Sequence, residues 1–248
     1  MMVLKNALFP VLALFLCSCA FTRVSSGLNR PPAKSFVKVL HFTTVTSCGS
    51  KKDPRCKLGT FGQTGSGMAV SVFKDEMTVL TAGHVCNSQP DPEIIDKHLQ
   101  HIHVIDHTNT KHQAWPVHVS FDNQASSADL CLLYVPTLDV KKARIGVLTP
   151  KVGDELYYIG SPLGIHHPPT VPIFKGVYSG KISASSAIVT FPAIGGSSGA
   201  AVFDKNNRIV GVVFAANVAF HHVSLVTTHE SLKMFINQAK SRLSDTLQ

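Results

Sequence analysis

The sequence has little charge, and the charge it has is dispersed. Charged residues make up only 15% of the 248, and no run of lysine or arginine exceeds two, as at Lys51-Lys52 and Lys141-Lys142. The net charge of +8 therefore does not form the compact basic stripe, interleaved with aromatics, that is typical of nucleic-acid binding. With 44% hydrophobic residues, the chain has enough apolar material for a sizeable core, which excludes a disordered protein.

Long apolar runs are also scarce. One almost unbroken run, from Ala7 to Leu16, follows Lys5 and is too short to span a bilayer comfortably, since a spanning helix needs about 20 apolar residues. A charged start, an apolar centre and small residues after it are the pattern of a signal peptide. We therefore predict a signal peptide at residues 1–20, followed by a Ser-, Asn-, Pro- and Arg-rich linker at 21–36.

The end of the apolar run allows two kinds of processing. Leu16-Cys17-Ser18-Cys19 resembles a bacterial lipobox, in which Cys19 would be lipidated and would attach the protein to a membrane. Ordinary cleavage after Ala20 would instead release a soluble secreted protein. In both cases the protein is exported: secreted, periplasmic or lipid-anchored at the cell envelope.

Four cysteines lie after the predicted signal peptide, and none of them belongs to a C-x-x-C pair, which disfavours a metal centre. An even number of cysteines in an exported chain indicates disulfides. Cys48 and Cys56 bracket a short loop and are predicted to pair locally. Cys86 and Cys131 each lie two residues after a candidate catalytic residue, so we expect them to pair if those residues meet in space.

From residue 37 onward, about twelve short apolar or alternating runs are separated by turn signals, which indicates an all-β sandwich or barrel. The last segment differs, because its apolar residues fall on one face of a helix: Leu232, Phe235, Ile236, Ala239 and Leu243. We predict a C-terminal amphipathic helix at 229–244, packed on the preceding β-structure. Thr227 and Glu230 have the spacing of a capping box at its start.

Three segments have the residues that nucleophilic catalysis by a hydroxyl requires: a base, a carboxylate that orients it, and amide donors for an oxyanion. His84 follows the small residues of Thr81-Ala82-Gly83. Asp129 opens an otherwise apolar strand, where only a paired role justifies partial burial. Ser198 lies in the glycine-rich turn Gly195-Gly196-Ser197-Ser198-Gly199.

Two other acids, Asp106 and Asp122, compete with Asp129 for the orienting role. A turn-capping carboxylate is the ordinary reading for any of the three.

Together these segments resemble the trypsin-like serine peptidases, most of all their bacterial-type branches, the HtrA and glutamyl endopeptidase families. The T-A-G-H-V, D-L-x-L-L and G-x-S-G elements occur in the family's order of His, Asp and Ser. Three further segments resemble family motifs: Ile159-Gly160-Ser161-Pro162-Leu163-Gly164, Gly176-Val177-Tyr178-Ser179-Gly180 and Arg208-Ile209-Val210-Gly211-Val212. The likeness covers about residues 60–240.

This resemblance implies a fold of two six-stranded Greek-key β-barrels within a domain at 37–246. The first barrel would occupy about 37–140 and the second about 147–228, and the C-terminal helix would pack on the second barrel.

The resemblance also implies a function. Ser198 would be the nucleophile, His84 the general base and acid, and Asp129 the orienting carboxylate. The backbone N–H groups of Gly196 and Ser198 would form the oxyanion hole. The protein would be an exported serine endopeptidase that acts on proteins or peptides with no metal or organic cofactor.

Departures from the family pattern bear on activation and specificity. Ser197 stands where trypsin has the acid that pairs with a freed N-terminus, so activation by that insertion is not expected. The specificity pocket should be lined by residues 192–195 and 214–216, neither of which contains an acid, and Val213 replaces the pocket histidine of glutamyl endopeptidases. We therefore predict a small or aliphatic side chain at P1, the substrate residue before the cleaved bond.

Other interpretations are less well supported. Ser197 would be the nucleophile of an α/β-hydrolase elbow, but that fold needs an Asp and then a His after the serine. A metal site within the histidine cluster is disfavoured against a solvated insertion between strands. That cluster comprises His98, His101, His103, His107, His112 and His118. A catalytically inactive relative that binds protein is the alternative function, although such a protein would not need all three catalytic groups.

Overall fold

The computed structural model describes residues 30–246, except 50–52, 73–75, 88–90, 92, 122–127, 218 and 221, and leaves out the side chains of 243–246. The predicted signal peptide at 1–20, with Cys19, and most of the linker at 21–36 lie outside the described residues. The first strand begins at Phe36, whose side chain is fully buried.

The first barrel is closed and has six antiparallel strands. These are β1 (Phe36–Cys48), β2 (Gly59–Val70), β3 (Thr78–Thr81), β4 (Ile95–Ile105), β5 (Lys111–Ser120) and β6 (Leu130–Tyr134). Their order is β1-β2-β3-β6-β5-β4, and β4 pairs with β1 to close the barrel. A single helical turn, α1 (Gly83–Cys86), follows β3. Alternate residues such as Val37, Val39 and Leu133 point inward and fill the core.

The second barrel also closes with six antiparallel strands. A two-residue strand, β7 (Arg144–Ile145), precedes it and pairs in parallel with β12 (Arg208–Ala216). The six strands are β8 (Glu155–Ile159), β9 (Ile173–Lys181), β10 (Ser186–Val189), β11 (Ala201–Phe203), β12 (Arg208–Ala216) and β13 (Ser224–Thr227). Their order is β11-β8-β9-β10-β13-β12, and β11 pairs with β12. The prediction of two six-stranded barrels is confirmed, and β7 is an addition to it.

The C-terminal helix, α2 (His229–Thr246), buries Leu232, Phe235, Ile236 and Ala239 of the predicted apolar face, whereas the side chain of Leu243 lies outside the described residues. Its inward residues join one core with side chains of both barrels, such as Leu132 and Phe203, so it does not pack on the second barrel alone. The predicted cap is wrong by one residue. The Thr228 hydroxyl accepts the N–H of Ser231 at 3.3 Å, whereas Thr227 accepts the N–H of Val212 at 3.0 Å. Neither helix in the described part of the chain is long and apolar enough to cross a bilayer.

Both predicted disulfides are confirmed. Cys48–Cys56 closes an exposed loop after β1, and Cys86–Cys131 joins α1 to β6 in the interior of the first barrel.

The histidine cluster does not form the solvated insertion that we predicted. Most of its members lie on β4 and β5, which are full strands of the first barrel. His112 and His118 are buried, and the His118 ring stacks on Phe235 of α2 at 4.6 Å. Within the described ranges, no three His, Cys, Asp or Glu side chains are grouped so that they could hold a metal ion.

Asp106 is a buried acid at the turn between β4 and β5, and it is fully occupied there. Its carboxylate accepts the backbone N–H groups of Thr108 and Thr110 at 2.8 and 2.9 Å, and His112 Nε2 lies 3.1 Å from it. Burial by itself would raise the pKa of Asp106, but the hydrogen bonds from Thr108, Thr110 and His112 outweigh it and lower the pKa to about 2. Asp106 therefore has a structural role and is not available to orient His84.

We expect Asp106→Asn to lower the free energy of unfolding by about 2 kcal/mol at pH 7. The unfolded carboxyl titrates near its ordinary pKa and the folded one lower, so the stabilisation is complete above pH 4. It should be lost as the pH falls from 4 toward 2. Urea unfolding followed by circular dichroism at pH 7, 4 and 3 would test this. A difference between wild type and variant that does not change with pH would contradict it.

Candidate active site

The backbone around His84 requires a glycine before it. β3 ends at Thr81, and α1 begins at Gly83. A Cβ atom at Gly83 would lie 2.7 Å from Cβ of Phe121 and 2.9 Å from Oδ1 of Asp129. Only glycine therefore lets the carboxylate approach the first turn of α1, which explains the small residues ahead of the histidine.

His84 and Asp129 form a close pair through two hydrogen bonds. The His84 ring donates from Nδ1 to Oδ2 of Asp129 at 2.6 Å, and the His84 backbone N–H donates to Oδ1 at 2.8 Å. With the ring proton on Nδ1, the neutral imidazole keeps its lone pair on Nε2, the nitrogen that can act as a base. The His84 side chain is 33% exposed and that of Asp129 15%, so the ring can be reached from the cleft while the carboxylate is largely covered.

Two further connections keep His84 and Asp129 close to each other. The disulfide joins residues two positions beyond His84 and Asp129, so it fixes α1 against the start of β6. β3 and β6 are also paired, with Thr81 opposite Cys131. Asp122, the other competing acid, lies outside the described residues.

The turn that carries Ser198 packs against the first barrel beside α1. The Ser198 carbonyl accepts the N–H of Ser66 at 2.7 Å. At Gly65, an added Cβ would lie 3.1 Å from this carbonyl and 2.7 Å from the Val85 side chain, next to His84. Gly199, at φ +87°, leaves no room for a side chain, because a Cβ there would lie 2.1 Å from both the Ser66 carbonyl and Thr81 Oγ1. Ser198 therefore lies at the seam of the two barrels, half-buried and next to α1.

Ser66, which our sequence analysis missed, links the two barrels at this seam. Its hydroxyl donates to the carbonyl of Gly196 at 2.7 Å and accepts the N–H of Ser161 at 2.9 Å. Its carbonyl accepts the hydroxyl of Thr81 at 2.7 Å. The sequence did contain a signal for this role. Ser66 lies between two glycines, Gly65 and Gly67, at the otherwise apolar end of a strand.

The backbone N–H groups of Gly196 and Ser198 have no acceptor among the described residues. The carbonyl of Gly195 accepts the N–H of Leu163 at 2.7 Å, and that of Ser197 accepts the N–H of Ala200 at 3.0 Å. In a trans peptide the C=O and the N–H point in opposite directions. The N–H groups of Gly196 and Ser198 therefore point away from these partners and remain free of them as hydrogen-bond donors.

The backbone at position 196 has a conformation that only glycine can adopt. Its φ is +92°, and a Cβ atom there would lie 2.4 Å from the carbonyl of Ser161.

An apolar pocket of about 200 Å³ opens beside Ser198. It is lined by Ala193, Ile194, Gly195, Ser197, Ser198, Val213, Ala215, Ala216 and Asn217. None of these side chains is charged. Two residues expected in the pocket wall are elsewhere: Pro192 lines a neighbouring pocket, and Phe214 packs against the core of the first barrel.

The α/β-hydrolase interpretation is wrong. The chain folds into antiparallel barrels, and Ser197 is only 1% exposed. Its hydroxyl accepts the N–H of Ile194 at 3.3 Å, so it faces the interior of the turn.

The fold and the seam define a class of protein: a two-barrel β-protein in which a His–Asp pair lies beside a glycine turn that carries a serine. A family model described as a trypsin-like peptidase domain matches residues 65–212, and the chain therefore belongs to the trypsin-like peptidase family. No curated protein matches it in sequence.

Solved structures agree with this fold. The serine endoprotease from Yersinia pestis is 18% identical, with a TM-score of 0.61, and the match covers 86% of this chain and 65% of that one. The Rv3671c protease from M. tuberculosis, in its active form, is 19% identical, with a TM-score of 0.59, and 86% of each chain is covered. The chain thus spans slightly less than two thirds of the Yersinia protein's length.

Proposed function

We propose that this protein is an active, exported serine endopeptidase that uses His84, Asp129 and Ser198. The observation that carries the proposal is the His84–Asp129 pair, with Nδ1 to Oδ2 at 2.6 Å, beside Ser198 at the barrel seam. A binding module would have no need of a base, an orienting carboxylate and a hydroxyl at one place.

The proposed reaction is acyl transfer from a peptide bond to water. Nε2 of His84 takes the proton of the Ser198 hydroxyl as its oxygen attacks the scissile carbonyl, and Asp129 stabilises the imidazolium that forms. The N–H groups of Gly196 and Ser198 bind the oxyanion. His84 then protonates the leaving amine, an acyl-enzyme remains on Ser198, and a water activated by His84 hydrolyses it. No step requires a metal or an organic cofactor.

The apolar pocket supports a small or aliphatic P1 residue. Three alanines, an isoleucine and a valine form much of its wall, and none of the described lining side chains is an acid or a histidine that could bind a charged P1 side chain. A peptide library cleaved by the protein should show Val, Ala, Leu or similar residues at P1. A profile dominated by Arg or Glu would contradict the assignment.

Export fits the two disulfides, which persist in oxidising compartments. We propose that the mature chain starts at a lipidated Cys19 or after Ala20. Mass spectrometry of the protein from membrane and soluble fractions would distinguish the two, and a mature chain that keeps residues 1–16 would contradict both.

Labelling with an organofluorophosphonate tests the proposed function. The reagent should modify folded protein between pH 6 and 9, and peptide mapping should find the label on Ser198 and not on Ser197. Heat-denatured protein is the control, since a serine without its base should not react. Labelling would be run beside a casein digestion assay. Folded protein that neither reacts nor digests casein would favour the alternative, a catalytically inactive scaffold that binds protein.

A further inference from the structure

Tyr158, on β8, places a hydroxyl beneath the turn that carries Ser198. The residue is fully buried, with its ring stacked on Phe174 at 4.9 Å and tilted against Phe191 at 4.8 Å. These two ring contacts and the full burial of the side chain restrict the position of its hydroxyl. That hydroxyl donates to the carbonyl of Pro192 at 2.7 Å and lies 3.4 Å from Oγ of Ser197.

The two partners of the hydroxyl lie at the beginning and near the end of residues 192–198, which we call the nucleophile turn. Ser197 Oγ also accepts the N–H of Ile194 at 3.3 Å, so the contacts of Tyr158 extend across the turn. Within the turn, residues 193–195 form one wall of the apolar pocket, and Gly196 and Ser198 carry the N–H groups that we propose for the oxyanion hole. A shift of Ser197 would rotate the peptide that supplies the Ser198 N–H.

We propose that Tyr158 is a positioning residue of this site: its hydroxyl holds the nucleophile turn so that the N–H groups of Gly196 and Ser198 stay directed at the oxyanion. This inference rests on the proposed peptidase function. Tyr158 does not contact the substrate, and it acts through Pro192 and Ser197. Burial raises the pKa of Tyr158 to about 12, so the hydroxyl keeps its proton throughout the pH range in which a peptidase would work.

Tyr158→Phe is the direct test, because it keeps the ring and removes one oxygen. We expect kcat for peptide hydrolysis to fall by about ten- to a hundredfold, since a misplaced oxyanion donor costs transition-state binding. KM should change by less than about threefold, since the substrate ground state does not depend on those donors. The inhibition constant of a peptide boronate, which occupies the oxyanion site as a tetrahedral adduct, should rise in parallel with the loss in kcat.

The neighbouring residue provides a matched control. Tyr157 is also buried, and its ring stacks on Phe203 while its hydroxyl donates to Asn207, away from the nucleophile turn. Tyr157→Phe removes the same atom from the adjacent position, so it should destabilise the protein to a similar degree but leave kcat within about twofold of wild type. A purely structural role of Tyr158 would make the two variants equivalent in every assay.

Ser197→Ala provides a second comparison. If Tyr158 acts through Ser197, the double variant should lose less activity than the product of the two single losses.

Each outcome has a distinct meaning. A wild-type enzyme that is active while Tyr158→Phe matches Tyr157→Phe in kcat and boronate binding would overturn the inference and leave the proposed function intact. A folded wild-type protein without activity on casein, library peptides or the phosphonate would overturn the proposed function and the inference with it.

Discussion

Ser198→Ala is expected to lower kcat for peptide hydrolysis by about a million-fold, which is the loss typical of removing the nucleophile of such a triad. Without the hydroxyl, His84 has no proton to accept and no acyl-enzyme can form, so only water attack assisted by the oxyanion donors remains. The variant should fold normally, because the turn is held by contacts of the Ser198 carbonyl and of its neighbours, not by Oγ. Progress curves with a fluorogenic peptide chosen from the library profile would measure the loss.

Ser197→Ala is the comparison that assigns the nucleophile. Ser197 is buried and hydrogen-bonded within the turn, so its loss should cost no more than about tenfold, the order expected from losing a supporting hydrogen bond. A reversal, in which Ser197→Ala is inactive and Ser198→Ala retains activity, would refute the assignment. Circular dichroism spectra of both variants would exclude misfolding as the cause.

Asp129→Asn is expected to lower kcat by about ten-thousand-fold at neutral pH. The carboxylate accepts two N–H groups of His84, and an asparagine has only one oxygen to offer them. If its amide nitrogen faces the ring, it donates to Nδ1, and the proton moves to Nε2. The imidazole then cannot accept the proton of Ser198. Such a variant should keep its fold and its KM while kcat collapses.

Asp106→Asn is the matched control for this prediction, because Asp106 forms the other carboxylate–histidine pair of the first barrel. It should lose stability, as described above, but retain kcat within a few-fold at temperatures where it is folded. Equal losses of kcat in the two variants would mean that Asp129 acts only through the stability of the barrel, and would contradict its proposed role. NMR of the His84 ring protons could report the tautomer directly.

Motifs with local physical requirements could be predicted from the sequence. The small residues before His84 and the glycines around Ser198 are needed where the backbone passes other atoms at close range, as the contacts of Gly83 and Gly199 demonstrate. The apolar face of α2 follows from 3.6-residue periodicity, and both disulfides followed from spacing and the expected meeting of two motifs. The catalytic roles assigned to these residues stay predictions until the variants are measured.

Other features depend on strand register, which period-two patterns specify poorly. The histidines of β4 and β5 looked like a polar insertion because alternate residues are exposed. Which of them are buried is decided only when β4 pairs with β1 and α2 covers His118. The capping residue of α2 is Thr228 and not the predicted Thr227. Thr227 is the last residue of β13, and its hydroxyl accepts the N–H of Val212.

By itself, the sequence determined the class of fold and favoured the local Cys48–Cys56 pair, because both depend on residue type and short-range spacing. It also indicated the residues that we propose for acyl transfer, whereas the Cys86–Cys131 pair required two distant motifs to meet. Only the tertiary structure decided that Ser66 and Tyr158 contact the nucleophile turn, that Asp106 is engaged elsewhere and that Pro192 and Phe214 lie outside the apolar pocket. These facts depend on side chains from distant strands meeting at one place, and such contacts are set by how the two barrels close and pack against each other.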